Sequence, residues 1–234
     1  MVVYEVAPAN EDWVLGEEKV PESRPHDLVA ERIRALLMAW AERAGRRVAV
    51  CRNLAVRWEE DRPTIGVDPD VCVLEPPPPD ADEMLSLCLW QTGHFAPILA
   101  VEVVSTSRSD KDYSQSPEKY ASNGTRELWV FDPKMAGPRR LGGPHRFQVW
   151  RRDADDSFRR VYAGEGPVWS ETVRGWLFAT AEGRALSIAD DEQGTSWWMT
   201  REESERAGKV AAESRASLFA AKLRELGVDP ESLK

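Results

Sequence analysis

A nearly apolar run that contains a single acid, residues 98–104 (ILAVEVV), constrains the fold of this chain most strongly. Short runs that are rich in valine and isoleucine and bounded by turn residues are typical of buried strands. A carboxylate in such a strand is costly unless it is paired or binds a cation, so Glu102 needs a physical explanation. A helical pattern around Tyr120 and a second apolar run, 127–131 (ELWVF), follow. The sequence therefore predicts a βαβ-like unit with an acid in its first strand.

The composition is that of a folded, acidic protein. Hydrophobic residues make up 42% of the 234 residues, and 31 basic against 40 acidic residues give a net charge of −9. This balance argues against a protein that coats nucleic acid generally, because such a protein would be basic overall. It leaves room for an enzyme that meets nucleic acid through a local basic patch or a bound cation.

Cysteine usage and the lack of targeting signals favour a cytoplasmic protein. Cys51, Cys72 and Cys88 show no CxxC spacing, so neither a zinc site nor a disulfide framework is predicted. The chain has no basic region followed by an apolar stretch at its start, and no run reaches the roughly 18 apolar residues of a membrane helix. We expect a cytoplasmic location and no membrane contact.

Composition also divides the chain. Residues 1–183 alternate helical and strand patterns and are predicted to form one domain, 184–199 are polar and predicted to be a linker, and 200–234 are predicted to contain a charged helix. The apolar positions of that helix are sparse and small. The pattern indicates either docking on a neighbouring subunit, which would make a homo-oligomer, or exposure to solvent.

A strong helical pattern begins after Pro25 and ends near Gly45, with apolar residues at helical spacing. His26 lies at its start. A lone histidine at a helix entry is more often structural than ligand-binding, and we interpret His26 in that way.

A second acid comes into reach of Glu102 through strand pairing. Asp70, preceded by Asp68, leads into an apolar run at 71–74, and the residues between Asp70 and Glu102 suffice for a strand, a connection and a return. Two adjacent carboxylates ionise together only around a cation, and oxygen ligands suit Mg²⁺, with Mn²⁺ as the alternative. The carbonyl of Val103 could add a third oxygen. The competing interpretation is that Asp70 shapes a turn and Glu102 pairs with a buried arginine.

These residues carry a resemblance. PDVCVL, LAVEVVSTS and NGTRELWVFDP, with Asp112 and Tyr120 between the last two, resemble the Uma-type family of restriction endonucleases within the PD-(D/E)XK nuclease superfamily. The resemblance implies an α/β (α+β) fold, a restriction-endonuclease-like mixed central sheet flanked by helices, with a C-terminal helical extension. It also implies that Asp70 and Glu102 are catalytic metal ligands, and that the reaction is Mg²⁺-dependent hydrolysis of DNA by an activated water.

One departure from the family pattern concerns the catalytic lysine. The superfamily lysine, two residues after the acid, would fall at Val104. In Uma-type sequences a lysine commonly lies four residues before the tyrosine, which here is Ser116. Lys119, nearly one helical turn further on, is the predicted catalytic lysine, and Lys111 is the other candidate.

Two functions follow from these observations. The first is a metal-dependent endonuclease that acts on DNA. The second is a catalytically degenerate nuclease-fold protein that serves as a binding or assembly module. Retention of both acids favours the first, and Val104 and the acidic net charge favour the second. DNA binding would also need a positive strip, for which the candidates are Arg52, Arg57, Arg108 and Arg126.

Overall fold

The computed structural model describes residues 2–4, 13–14, 24–107 and 109–226. Two compact units divide the chain, Met1–Trp198 and Met199–Lys234. The described part of the first unit contains short strands that form three sheets. They are β1 (Val3–Tyr4), β2 (Ala49–Cys51), β3 (Ala55–Arg57), β4 (Val71–Leu74), β5 (Ser86–Cys88), β6 (Leu99–Val103), β7 (Glu127–Phe131), β8 (Phe147–Arg152), β9 (Phe158–Gly164), β10 (Val168–Ser170), β11 (Gly175–Thr180) and β12 (Ala185–Ala189).

The central sheet has seven strands in the order β1-β9-β8-β7-β6-β4-β2. Strands β6 and β7 are parallel, and every other neighbouring pair in this sheet is antiparallel. The connection between the parallel strands contains α2 (Ser109–Tyr113) and α3 (Gln115–Ser122). The predicted βαβ-like unit and the mixed central sheet are therefore confirmed.

Register places the two predicted site acids side by side. Strand β4 pairs with β6 so that Val71 lies opposite Val101 and Cys72 opposite Ala100. Extending this register by one residue puts Asp70 opposite Glu102. Directly opposed residues of antiparallel strands have Cβ atoms about 5 Å apart, so the pairing alone brings both carboxylates to one place.

Each face of the central sheet is covered by a different layer. The helix α1 (Arg24–Arg43) and the three-stranded sheet β10-β11-β12 contribute to the apolar cluster on one face. Helices α2 and α3 and the two-stranded sheet β3-β5 contribute to the cluster on the other face. Because strand side chains alternate, Cys72, Ala100 and Val104 point into the second layer, where Tyr120 of α3 packs against them.

Most of the segment 184–199, which we predicted to be a linker, is folded into the first unit, which extends to Trp198. Strand β12 pairs with β11, and Ile188 and Trp198 are buried in the cluster that contains α1. The short segment around Gly194 is polar, and its composition concealed the apolar residues on either side of it. The boundary between the two units lies after Trp198.

The second unit contains one long helix, α4 (Arg201–Glu225). A capping box begins it: Thr200 Oγ1 accepts from the Glu203 amide at 3.2 Å, and Glu203 Oε2 accepts from the Thr200 amide at 2.9 Å. No residue of α4 is buried. The homo-oligomer that the sequence suggested for this helix stays a prediction. Among the described helices, none combines the length and apolar content that a bilayer-spanning segment needs.

Two buried acids are fully used in holding the fold. Glu127 at the start of β7 accepts hydrogen bonds from Trp129 Nε1 at 2.7 Å, from Ser170 Oγ and from the amide of Glu171 at 3.1 Å, and it lies 3.3 Å from Arg151 Nε. Asp132, just after β7, accepts from the Tyr113 hydroxyl at 3.0 Å and from the amides of Ala136 and Gly137. These carboxylates tie β7 to its surroundings.

We expect Glu127→Ala to lower the free energy of unfolding by about 3 kcal/mol, because it leaves several buried donors and the Arg151 guanidinium without their acceptor. Urea denaturation measures this change. The neighbouring Glu171→Ala is the control: its exposed side chain lies 3.8 Å from Arg151, so the expected loss is below about 1 kcal/mol. Equal losses for the two variants would contradict a central role of Glu127.

Candidate active site

Glu102 lies in the middle of the described site. Its residue is 2% exposed, and its Oε1 atom accepts a hydrogen bond of 2.8 Å from the hydroxyl of Tyr120. Tyr120 is itself fully buried on α3, so its hydroxyl needed an acceptor within the protein. Strand β6 and helix α3 thus fix one oxygen of the acid.

Asp70 is held by the backbone of the neighbouring strand. Its Oδ2 atom accepts a hydrogen bond of 2.6 Å from the amide of Val103. The same oxygen lies 3.3 Å from Nε2 of His26, and that nitrogen is 2.7 Å from the carbonyl oxygen of Val103. Asp70 and the backbone of Val103, two of the groups that the sequence nominated as metal ligands, therefore lie together, and a histidine contacts both of them.

Glu102 differs from the structural acids Glu127 and Asp132 in how little compensates its charge. Among the described residues, it accepts its one side-chain hydrogen bond from Tyr120. Burial raises the pKa of Glu102 to about 7, and the negative charges of Asp70 and Asp68 add to the effect against the opposing charge of Lys111. A buried carboxylate left with this deficit is typical of a functional site rather than of a structural contact.

Both candidate lysines are close enough to Glu102 to interact with it electrostatically. The charge of Glu102 raises the pKa of Lys111, on α2, and it is the largest influence on that group. Lys119, on α3, is 4% exposed; burial, together with the charge of Lys111, lowers its pKa to about 8. Val104, where the superfamily lysine would lie, is buried in the apolar cluster beside Tyr120.

Three residues of this region were not assigned to the site from the sequence. Asp112, named above only as part of the family resemblance, is buried, and desolvation and the charge of Glu102 raise its pKa well above the ordinary range. Ser116 is fully buried, and in the described part of the chain its hydroxyl has no hydrogen-bond partner. His26 contacts Asp70 although 44 positions separate them. Ser116 could have been assigned to the site from the sequence, because it occupies the position of the Uma-type lysine. No sequence pattern linked His26 to the acids.

The donor atoms fit a hydrated hard cation. No group of three or more histidine, cysteine, aspartate or glutamate side chains converges among the residues that the structure describes. Strand pairing instead sets Asp70 opposite Glu102, and Asp70 contacts the backbone of Val103, whose carbonyl adds an oxygen donor. Mg²⁺ keeps several waters and needs only one or two protein carboxylates, so this donor set suffices for it.

The arginines proposed to contact DNA are mostly engaged elsewhere. Both terminal nitrogens of Arg52 form ion pairs, one with Asp27 and one with Glu31 at 3.0 Å. Arg57 donates to the carbonyl oxygen of Pro63. Arg108 lies outside the described residues, and Arg126 is exposed.

Comparison with known proteins identifies the family. A family model described as "Putative restriction endonuclease" (Uma2) matches residues 14–179, and the chain belongs to this family. This confirms the resemblance drawn from the motifs. A similar solved structure is that of "a putative nuclease belonging to DUF820" from Anabaena variabilis ATCC 29413, with 13% identity, a TM-score of 0.45 and coverage of 66% of this chain and 76% of that chain. No curated protein matches the chain.

The raised pKa of Glu102 gives a prediction for the metal-free protein in EDTA. A carboxyl group with a pKa of about 7 in the folded protein, against an ordinary value of 4.5, holds its proton more tightly when folded. The free energy of unfolding should therefore fall as the pH rises from 4.5 to 7, by on the order of 3 kcal/mol from this group.

Glu102→Gln isolates this contribution, because the amide keeps the shape and cannot ionise. Relative to the unaltered protein, we expect the variant to gain stability as the pH rises through that window, measured by urea denaturation at both ends. Glu118→Gln on α3 is the matched control and should show no such gain. A constant difference between the unaltered protein and Glu102→Gln across the window would disprove the raised pKa.

Proposed function

We propose that this protein is a metal-dependent endonuclease that hydrolyses phosphodiester bonds in DNA. Membership of the Uma2 family supports nuclease-like function. The observation that carries the finer proposal is the pair of buried acids, Asp70 and Glu102, opposed across β4 and β6 with too few protein partners to neutralise them. A divalent cation supplies the missing positive charge.

The chain's own groups have separate roles in this proposal. Asp70, Glu102 and the Val103 carbonyl would hold the cation, with Mg²⁺ as the expected ion. When bound, such a cation lowers the pKa of a coordinated water and stabilises the charge that develops on the phosphate. Lys119 orients the attacking water, Lys111 balances negative charge beside Glu102, and Tyr120 holds the Glu102 carboxylate in place.

Two observations favour a second candidate, a nuclease-fold protein without catalysis that acts as a binding or assembly module. Val104 lacks the ammonium group of the superfamily strand, and Ser116 lacks that of the Uma-type helix. Under this alternative the protein binds metal and DNA, but phosphodiester bonds stay intact.

Cleavage of supercoiled plasmid DNA with Mg²⁺ or Mn²⁺ tests the first candidate. We expect EDTA to abolish cleavage, and Asp70→Asn or Glu102→Gln to slow it by about 10³-fold or more, because each removes charge from the proposed cation site. Asp155→Asn, in the exposed turn between β8 and β9, makes the same chemical change away from the acids and should leave the rate unaltered. Metal binding without cleavage of any DNA would favour the module instead.

The lysine assignment predicts different consequences for the three lysines that can be compared. Lys119→Met should reduce the cleavage rate by about 100-fold while the affinity for metal changes little, because the group acts on water rather than on the cation. Lys134→Met, at an exposed position after β7, serves as the control and should have no effect. Loss of cleavage in Lys111→Met, with normal cleavage in Lys119→Met, would transfer the role to Lys111.

A further inference from the structure

His26 lies outside the central sheet and its crossover helices, and it contacts two of the proposed ligands. It lies in the first turn of α1, and its side chain is about one tenth exposed. Its Nε2 atom is 2.7 Å from the carbonyl oxygen of Val103 and 3.3 Å from Oδ2 of Asp70. A single nitrogen thus contacts two of the three groups proposed to hold a cation.

These distances have the spacing of atoms that share a metal ion. Ligands about 2.1 Å from an octahedral ion are separated along each edge of the octahedron by √2 times that length, or about 3.0 Å. The two distances from Nε2, 2.7 and 3.3 Å, lie on either side of this value. Nε2 therefore lies at the distance of a neighbouring vertex both from the Val103 oxygen and from Asp70 Oδ2.

We infer that His26 is a further protein ligand of the cation through its Nε2 atom, an inference that rests on the proposed function. The Val103 carbonyl oxygen can only accept, so Nε2 donates its hydrogen in the arrangement described here. Ligation requires the other tautomer of the neutral ring, with the hydrogen on Nδ1 and the Nε2 lone pair directed at the ion. No change in the net charge of the ring is needed.

A nitrogen ligand changes which ion the site prefers. Carboxylate, carbonyl and water oxygens suit both Mg²⁺ and Mn²⁺, whereas imidazole favours first-row transition ions. Adding His26 to the shell of Asp70, Glu102 and the Val103 carbonyl therefore favours Mn²⁺ over the Mg²⁺ that the acids alone suggested. Among the described residues, Asp70 and His26 contact each other, and no cluster of three side chains of the metal-ligating types converges.

Electron spin-echo spectroscopy of bound Mn²⁺ tests the inference without relying on activity. The full chain, loaded with one equivalent of Mn²⁺, should show nitrogen modulation that changes to the ¹⁵N pattern when histidine alone is ¹⁵N-labelled. His26→Gln should abolish the modulation and weaken Mn²⁺ binding by about 10-fold or more in titration calorimetry, with a smaller loss for Mg²⁺.

His94→Gln is the matched control, because His94 is a buried histidine that pairs with Asp80 at 2.9 Å. This variant should keep both the modulation and the affinity. Tight Mn²⁺ binding by the labelled unaltered protein without any histidine coupling would overturn the ligand assignment and leave the proposed nuclease intact. The labelled protein decides the question even if His26→Gln does not fold. Failure of the unaltered protein to bind Mn²⁺ would overturn both proposals, whereas histidine coupling without cleavage of DNA would overturn the nuclease alone.

Discussion

The antiparallel register of β4 and β6 is the constraint on which the rest of the site depends. It sets Asp70 opposite Glu102 at a sheet position that neighbouring layers cover. Two carboxylates so placed repel each other, and burial removes the water that would screen them. The surrounding groups offset part of this repulsion. Tyr120 donates a hydrogen bond to Glu102, a backbone amide donates one to Asp70, and Lys111 supplies positive charge nearby.

The buried acids of this chain show how structure and function can be separated by counting hydrogen bonds. Glu127 and Asp132 each accept several hydrogen bonds from other segments of the chain, and their charges are used in joining those segments. Glu102 receives one hydrogen bond from the described residues, and its pKa rises to about 7. A buried glutamate is thus stabilised by several hydrogen bonds at position 127 and by one at position 102. The lack of compensating groups around Glu102 identifies the place where a bound cation would stabilise the protein.

Helices rather than the strand supply the cationic groups near the acids. Val104 points into an apolar cluster with Tyr120, where a lysine ammonium would be buried away from solvent. Lys111 and Lys119, on α2 and α3, approach Glu102 from the layer that covers it, and the electrostatic effects between these three groups are mutual. The crossover between β6 and β7 therefore connects the two parallel strands and also places positively charged side chains near Glu102 of β6.

The local pattern of the chain was sufficient to predict the main helix, the central strands and the βαβ-like unit, because burial imposes periodicity on residues close in sequence. It also nominated Asp70 and Glu102, since an acid in an apolar strand is unusual whatever surrounds it. The local pattern did not predict the structure of 184–199, because a polar turn lies between the few apolar residues of β12 and the buried Trp198.

Tertiary structure alone decided which side chains meet the acids. His26 reaches Asp70 because α1 packs on the sheet with its first turn beside the end of β4, and no pattern in the sequence records that approach. The same is true of the separate environments of Lys111 and Lys119, which lie on consecutive short helices and look alike in the sequence. Hydrophobic periodicity specifies which face of an element is buried, but the partners of a polar group depend on how distant elements are placed together.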